Sequence, residues 1–334
     1  METLQILQII WFLLIGVLFV GYSVLDGFDL GVGSLFPFLA KTKEEKQNLF
    51  DIIWPFWDGN EVWLLTAGGA LFAAFPYAYA TVFSGFYLAL MLVLFALIFR
   101  AVSLEFWIHD EKRQSLWANA FTVGSFLPSL LYGVALGNVI VGIPLDTNMD
   151  FTGTFFTLLR PYPLSIGLLG LAAILLQGST YTALKADGTI KERARLLTGK
   201  IWIFYIVTFV LSIVMTAVFA PKNFSNIPAW IFFVVVLAGT FLSRRASSEG
   251  SDLKAFLLSS LSFIGLWGIT GAIQYPNLVV NNTGGGNITI FNGSSTSLTL
   301  TVMLIIAVIG VPIVLGYTIY VYRVFKGKIK NLNY

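Results

Sequence analysis

Trp54-Pro55-Phe56-Trp57-Asp58-Gly59-Asn60-Glu61-Val62-Trp63-Leu64-Leu65 runs on through Thr66-Ala67-Gly68-Gly69-Ala70-Leu71-Phe72-Ala73-Ala74-Phe75-Pro76, and its reading decides the fold. The stretch has the length of a membrane-crossing helix, is opened and closed by proline, and is apolar nearly throughout. Asp58, Asn60 and Glu61 nonetheless stand in its first half. An ionised acid at the bilayer centre costs about 2.5–3.5 kcal/mol on insertion scales. Two on one helix therefore call for a partner cation, a wet cavity or protonation.

Composition supplies the setting. Of 334 residues, 57% are hydrophobic and only 11% charged, against about 25% charged in soluble domains, and the mean hydropathy is +0.82. The chain is expected to be an all-α, polytopic membrane protein. With no cysteine, a disulfide framework, a thiolate metal site and a cysteine nucleophile are excluded. His109 is the single histidine, so neither a multi-histidine metal site nor a bis-histidine haem can be built from this chain alone. Nothing resembles a glycine-rich phosphate loop or a nucleic-acid-binding element, and no internal repeat is evident. The first apolar run, 6–24, lacks a basic leader and a small-residue cleavage site, and reads as a retained first helix.

Runs long enough to cross about 30 Å of hydrocarbon fall at 4–25 (extending toward 36), 52–75, 78–106, 117–139, 164–184, 201–219, 227–242, 256–273 and 298–322. These predict nine transmembrane helices within one membrane domain. Lysine and arginine set the orientation. The loops after the odd-numbered spans and the C-terminal tail hold 17 of the 20 basic residues. Arg160 and Lys222 lie on the other side, and Arg100 lies within or at the end of a span. The N-terminus is thus expected outside and the C-terminus in the cytoplasm. The polar, charge-free stretch 280–297 is expected to be a flexible outer loop.

This orientation brings the buried polar residues to one depth. The first three spans place Asp26, Asp29, Asp58, Glu61, Arg100 and Glu105 in a single cytoplasmic slab, with Asp58 about 10 Å in from a helix start near Asp51. Asp26 with Asp29, and Asp58 with Glu61, have the i, i+3 spacing of one helix face. Arg100 alone cannot neutralise five acids, so some must be protonated, hydrated or paired with another subunit. Plainer readings stand beside this one. Asp26 reads as near the headgroups and solvated, and Arg100 with Glu105 reads equally well as a structural ion pair. Asp58 and Glu61 could form a buried hydrogen-bond network with Asn60 instead of handling protons. Gly27/Gly31, Gly133/Gly137 and the Ala67, Ala70, Ala74 surface read as packing faces. Trp54 and Trp57 suit an interfacial belt, for which Trp63 lies too deep. His109 reads as solvated.

Gly27-Phe28-Asp29-Leu30-Gly31, Trp57-Asp58-Gly59-Asn60-Glu61-Val62-Trp63-Leu64 and Arg100-Ala101-Val102-Ser103-Leu104-Glu105-Phe106 resemble, in order and spacing, subunit II of the cytochrome bd quinol oxidases. The motifs cover the first third of the chain, and the length and nine-span layout extend the likeness. The resemblance implies a bacterial plasma-membrane terminal oxidase that takes electrons from quinol and reduces dioxygen to water. It also implies a separate subunit I bearing haems b558, b595 and d, and a small single-helix subunit. Two four-helix bundles, 1–145 and 160–275, plus a peripheral helix 298–325, are implied for this chain. Its part would be scaffolding, lipid or quinone contact, an oxygen route and delivery of cytoplasmic protons, with no haem, cofactor or metal ligated by it. By resemblance Asp58 matches the motif acid of a proton path into subunit I. Asp29, Glu61 and Glu105 are further candidates, Arg100 is their charge partner, and Trp57, Gly59, Asn60 and Trp63 are motif packing residues. Two other readings are a secondary transporter using an intramembrane carboxylate and a purely structural partner. The acids crowd into the first three spans without a counterpart in the fifth to eighth, which weighs against the transporter.

Overall fold

A computed structural model describes residues 2–327. Among them eleven α-helices occur: α1 (Glu2–Leu39), α2 (Lys43–Ile53), α3 (Trp57–Ala74), α4 (Pro76–Gly85), α5 (Tyr87–His109), α6 (Gln114–Val141), α7 (Pro161–Lys185), α8 (Gly188–Phe219), α9 (Ile227–Ser248), α10 (Asp252–Gln274) and α11 (Ser297–Val324). Eight are long and apolar enough to cross a membrane: α1, α5 to α10 and α11, with α6 counted together with the short turn before it. The stretch 54–76 differs from its expected form. Pro55 has no N–H to continue the ladder of α2, so the chain turns at Trp54–Phe56 and α3 starts only at Trp57, running 18 residues. Its polar first turn keeps it out of the eight. Pro76 ends this helix and opens α4, at the position where a missing N–H is tolerated. The expected third span is likewise two helices, α4 and α5, parted at Phe86.

Lipid tails are as apolar as leucine, so helices within a membrane associate through close packing. The glycines supply it. A Cβ on Gly31 would meet Ile174 O and the backbone of Gly178, where α1 crosses α7. Gly133 and Gly167 make the same approach between α6 and α7, as do Gly239 and Gly265 between α9 and α10. Gly27 is looser, its nearest neighbour being the Phe263 ring at 3.8 Å. Ala67 and Ala74 are fully buried on α3. The half-buried ring of Trp63 packs over Gly21, joining α3 to α1. The most enclosed helix is α7, packed against α1, α6, α8 and α10. The least enclosed is α11, which rests mainly on α1 and α3.

Between the spans, Thr42 caps α2 in a reciprocal box with Glu45. Arg193 of α8 donates to both Glu45 oxygens, at 2.8 and 2.6 Å, and ties this short helix down. That pairing holds the Glu45 carboxyl at about 2, below its ordinary value. The stretch expected as a flexible outer loop carries some regular structure. Strands β1 (Asn277–Val279) and β2 (Ile288–Thr289) pair antiparallel, and Asn281, Asn287 and Asn292 side chains bond local backbone N–H groups. Asparagine builds such turns because its amide imitates the peptide group. Of the basic tail residues, Lys328 and Lys330 lie outside the described residues.

Candidate functional site: a buried arginine shared by three carboxylates

Helix α1 continues to Leu39, so Asp26 lies about 20 Å from its end along the axis. It is not solvated, as expected from sequence, but fully buried. Its carboxylate grips the guanidinium of Arg100, on α5, with Nη2–Oδ1 at 2.8 Å and Nη1–Oδ2 at 3.3 Å. Asp29, one turn along α1, comes within 4.0 Å of the same guanidinium. Glu61 of α3 accepts from Arg100 Nη1 at 2.8 Å. Arg100, Asp26 and Asp29 have no exposed side-chain surface, whereas Glu61 retains 23%. The cluster is closed toward the protein and open at Glu61.

Asn60 extends it. Its Nδ2 donates to Asp29 Oδ2 at 2.7 Å and to Leu25 O at 3.2 Å, and its Oδ1 accepts from the Tyr322 hydroxyl at 3.3 Å. The last helix thereby reaches the site. Lys185, at the end of α7, donates to Phe325 O at 2.9 Å and stands 5.5 Å from the Phe56 ring centroid, fixing α11 where Tyr322 meets Asn60. One turn before Asp26 on the same face of α1, Tyr22 donates to the Tyr132 hydroxyl at 3.0 Å. Asp29 Oδ1 and Arg100 Nε are buried with no hydrogen-bond partner. One guanidinium faces three carboxyl groups, so the cluster carries excess negative charge unless it also binds protons. Carboxyl oxygens in hydrogen-bond reach of a shared donor can hold and exchange such protons.

The structure therefore brings together Asp26, Asp29, Asn60, Glu61 and Arg100, and leaves out Asp58 and Glu105. Asp58 sits in the first turn of α3, not 10 Å inside a longer helix. It is exposed, at a helix end whose free N–H groups favour an acid. Glu105 is exposed and forms no pair with Arg100. Five residues apart on a helix, the two side chains project about 140° from each other, so the expected ion pair is not made. Trp57 is half-buried and Gly59 meets nothing within 4 Å. His109 is exposed, its Nδ1 2.9 Å from Glu105 O. Tyr322, Tyr132 and Lys185 escaped the sequence reading. Tyr322 alone left a signal, as a hydroxyl in the last turn of the ninth apolar run.

The profile of the family described as cytochrome bd terminal oxidase subunit II matches residues 7–325. The chain belongs to this family. It is 35% identical with the cytochrome bd-I ubiquinol oxidase subunit 2 of Escherichia coli (strain K12), over 97% of this chain and 96% of that protein. It is 31% identical with the cytochrome bd ubiquinol oxidase subunit 2 of Bacillus subtilis (strain 168), over 96% of each. In a structure of the bd oxidase from Geobacillus thermodenitrificans, one chain superposes with a TM-score of 0.80, covering 96% of this chain and 98% of that one. At 17% identity that likeness speaks for the fold. This bd oxidase subunit is thus an integral membrane part of an oxidoreductase complex, and a family subunit II implies a subunit I beside it.

Proposed function

We propose that this subunit II holds and passes protons from the cytoplasm toward a haem-bearing subunit I, within a bacterial plasma-membrane quinol oxidase that reduces dioxygen to water. The observation that carries the reading is the Arg100 cluster: three carboxyl groups around one buried cation, with only Glu61 partly open. Asp58 stands one turn from Glu61 on an exposed stripe of α3 that continues through Val62, Leu65 and Phe72. An acid in such a stripe fits a wet partner interface better than lipid. In this reading Asp58 receives the proton at the subunit boundary, Glu61 holds it at its open oxygen, and Asp26, Asp29 and Arg100 set the electrostatic balance.

The nine-span topology belongs to the same proposal, with α3 as the second span despite its polar start and α4–α5 as the third. The crowding of 17 of 20 basic residues on one side supports an outer N-terminus. Two bundles, 1–145 and 160–275, with α11 apart, agree with the packing of α11 on α1 and α3 alone among its main neighbours. Haem requires axial donors such as histidine, methionine or cysteine, and the donor set here does not fit it. His109 is exposed, no described methionine is buried, and cysteine is absent. The haems b558, b595 and d, which supply the redox chemistry, are therefore assigned to subunit I. A small single-helix subunit and quinone or lipid contacts complete the proposed assembly.

The test uses the purified complex. Asp58→Asn and Glu61→Gln are expected to keep the reduced-minus-oxidised haem spectrum and slow quinol-dependent oxygen consumption. Wild-type turnover in both variants would sink the proton-handling role. Loss of haem-containing complex in both would leave a structural one.

A further inference from the structure

The structure also carries a cleft far from the Arg100 cluster, between α8 and the turn joining α9 to α10. Its lining includes Arg195, Gly199, Arg244, Ser248, Gly250 and the acidic Glu249, and its volume is about 470 Å³. Most basic side chains nearby are committed. Arg193 pairs with Glu45, Arg245 with Glu249, and Lys191 and Arg195 share Asp252 at 2.6 and 2.9 Å. Two cations on one carboxylate leave one positive charge at the cleft wall. Arg244 makes no ion pair or hydrogen bond with any described residue. Its guanidinium lies over Gly199, whose missing side chain makes the room: a Cβ there would stand 3.3 Å from Arg244 Nη2.

The depth of the cleft says what it takes. Arg244 follows the apolar run of α9 by two residues, and Gly199 precedes the apolar run of α8. One turn deeper on the two helices, Phe241 and Ile203 are exposed, at 50% and 59%. Between them Trp202 donates to Thr240 O and meets the Phe241 ring edge-on, making a firm apolar floor. A free guanidinium and a second, part-neutralised one thus stand directly above outward-facing hydrocarbon. A planar fork of N–H donors matches phosphate oxygens, and basic pockets between spans suit lipid headgroups.

We propose that this cleft binds the phosphodiester of an anionic phospholipid, with Arg244 and Arg195 on the phosphate oxygens and the acyl chains along Ile203 and Phe241. The inference rests on the spanning topology proposed above and is independent of the proton path.

The delipidated haem-containing complex would be titrated with phosphatidylglycerol or phosphatidylcholine and followed by native mass spectrometry, with and without inorganic phosphate. One phosphatidylglycerol is expected to be retained more tightly than phosphatidylcholine. Arg244→Gln and Ser248→Asp are each expected to weaken that retention about fivefold, the effect of one basic group near a membrane surface. Lys222→Gln, on the opposite loop, is expected to change nothing. The haem spectrum should be the same throughout. Ser248 is exposed at the rim, so Ser248→Asp decides the matter should Arg244→Gln fail to assemble. Wild-type retention in both variants, equal retention of the two lipids, or displacement of the lipid by millimolar inorganic phosphate would each overturn the proposal. A haem-free preparation would count against the oxidase reading and leave the lipid comparison intact.

Discussion

Asp26→Asn is the substitution for which the network makes its sharpest demand. Asp26 bonds both terminal nitrogens of Arg100, at 2.8 and 3.3 Å, where neither residue has exposed side-chain surface. Removing one partner of a buried ion pair costs about 3–5 kcal/mol, because the other charge stays buried without it. Glu61 still accepts from Nη1 at 2.8 Å, so the lower end, about 3 kcal/mol, is expected. The amide has nearly the volume of the carboxylate, so no cavity adds to the loss. By the scaling for soluble domains, about 2 °C per kcal/mol for large ones, the midpoint should fall by about 6 °C. The assay is thermal release of haem absorbance from the intact complex. Glu61→Gln is the control, since its side chain is 23% exposed and the amide oxygen still accepts from Arg100. Its cost should be about 1 kcal/mol or less. A midpoint for Asp26→Asn equal to wild type, or a larger fall for Glu61→Gln, would refute the view that Asp26 is the principal counter-ion of Arg100.

Three further outcomes are expected. Gly31→Leu should abolish recovery of assembled complex on detergent extraction, because any side chain there meets the α7 backbone at Ile174 and Gly178; normal yield would contradict the α1–α7 contact. Tyr322→Phe removes one hydroxyl donor to Asn60 and should slow oxygen consumption less than Glu61→Gln does, with assembly intact; an equal or greater loss would move Tyr322 into the proton path. Because Arg193 depresses the Glu45 carboxyl to about 2, their pairing should stabilise the docked α2 fully above the ordinary glutamate value, near pH 4.5. That contribution should fade as pH falls from there toward 2, where the carboxyl protonates. Hydrogen exchange of residues 43–53 should report the loss in wild type and show no such dependence in Glu45→Gln.

The acid-rich slab was legible in sequence because depth along a helix follows from counting residues. Asp26, Asp29, Glu61 and Arg100 do meet, and Asn60 bridges to the last helix. Direction around the helix axis was less legible. Residues three apart diverge by about 60°, enough to turn Glu61 toward Arg100 and leave Asp58 on the outer surface. The distance over which α1 continues was equally hidden. Asp26 reads as near a helix end only until the helix is seen to reach Leu39.

Hydropathy, basic-residue placement and the three motifs determined by themselves that this is a membrane protein, where most of its helices run, and which family it resembles. Those are properties of local composition, set by what a bilayer tolerates at each depth. The tertiary structure decided which acids share the buried Arg100, which face outward, and that a tyrosine from the far end of the chain joins them. Such pairings depend on where α1, α3, α5 and α11 turn their faces. That is fixed by glycine-mediated contacts such as Gly31 on Gly178 and by the Lys185 tether, between residues far apart in sequence.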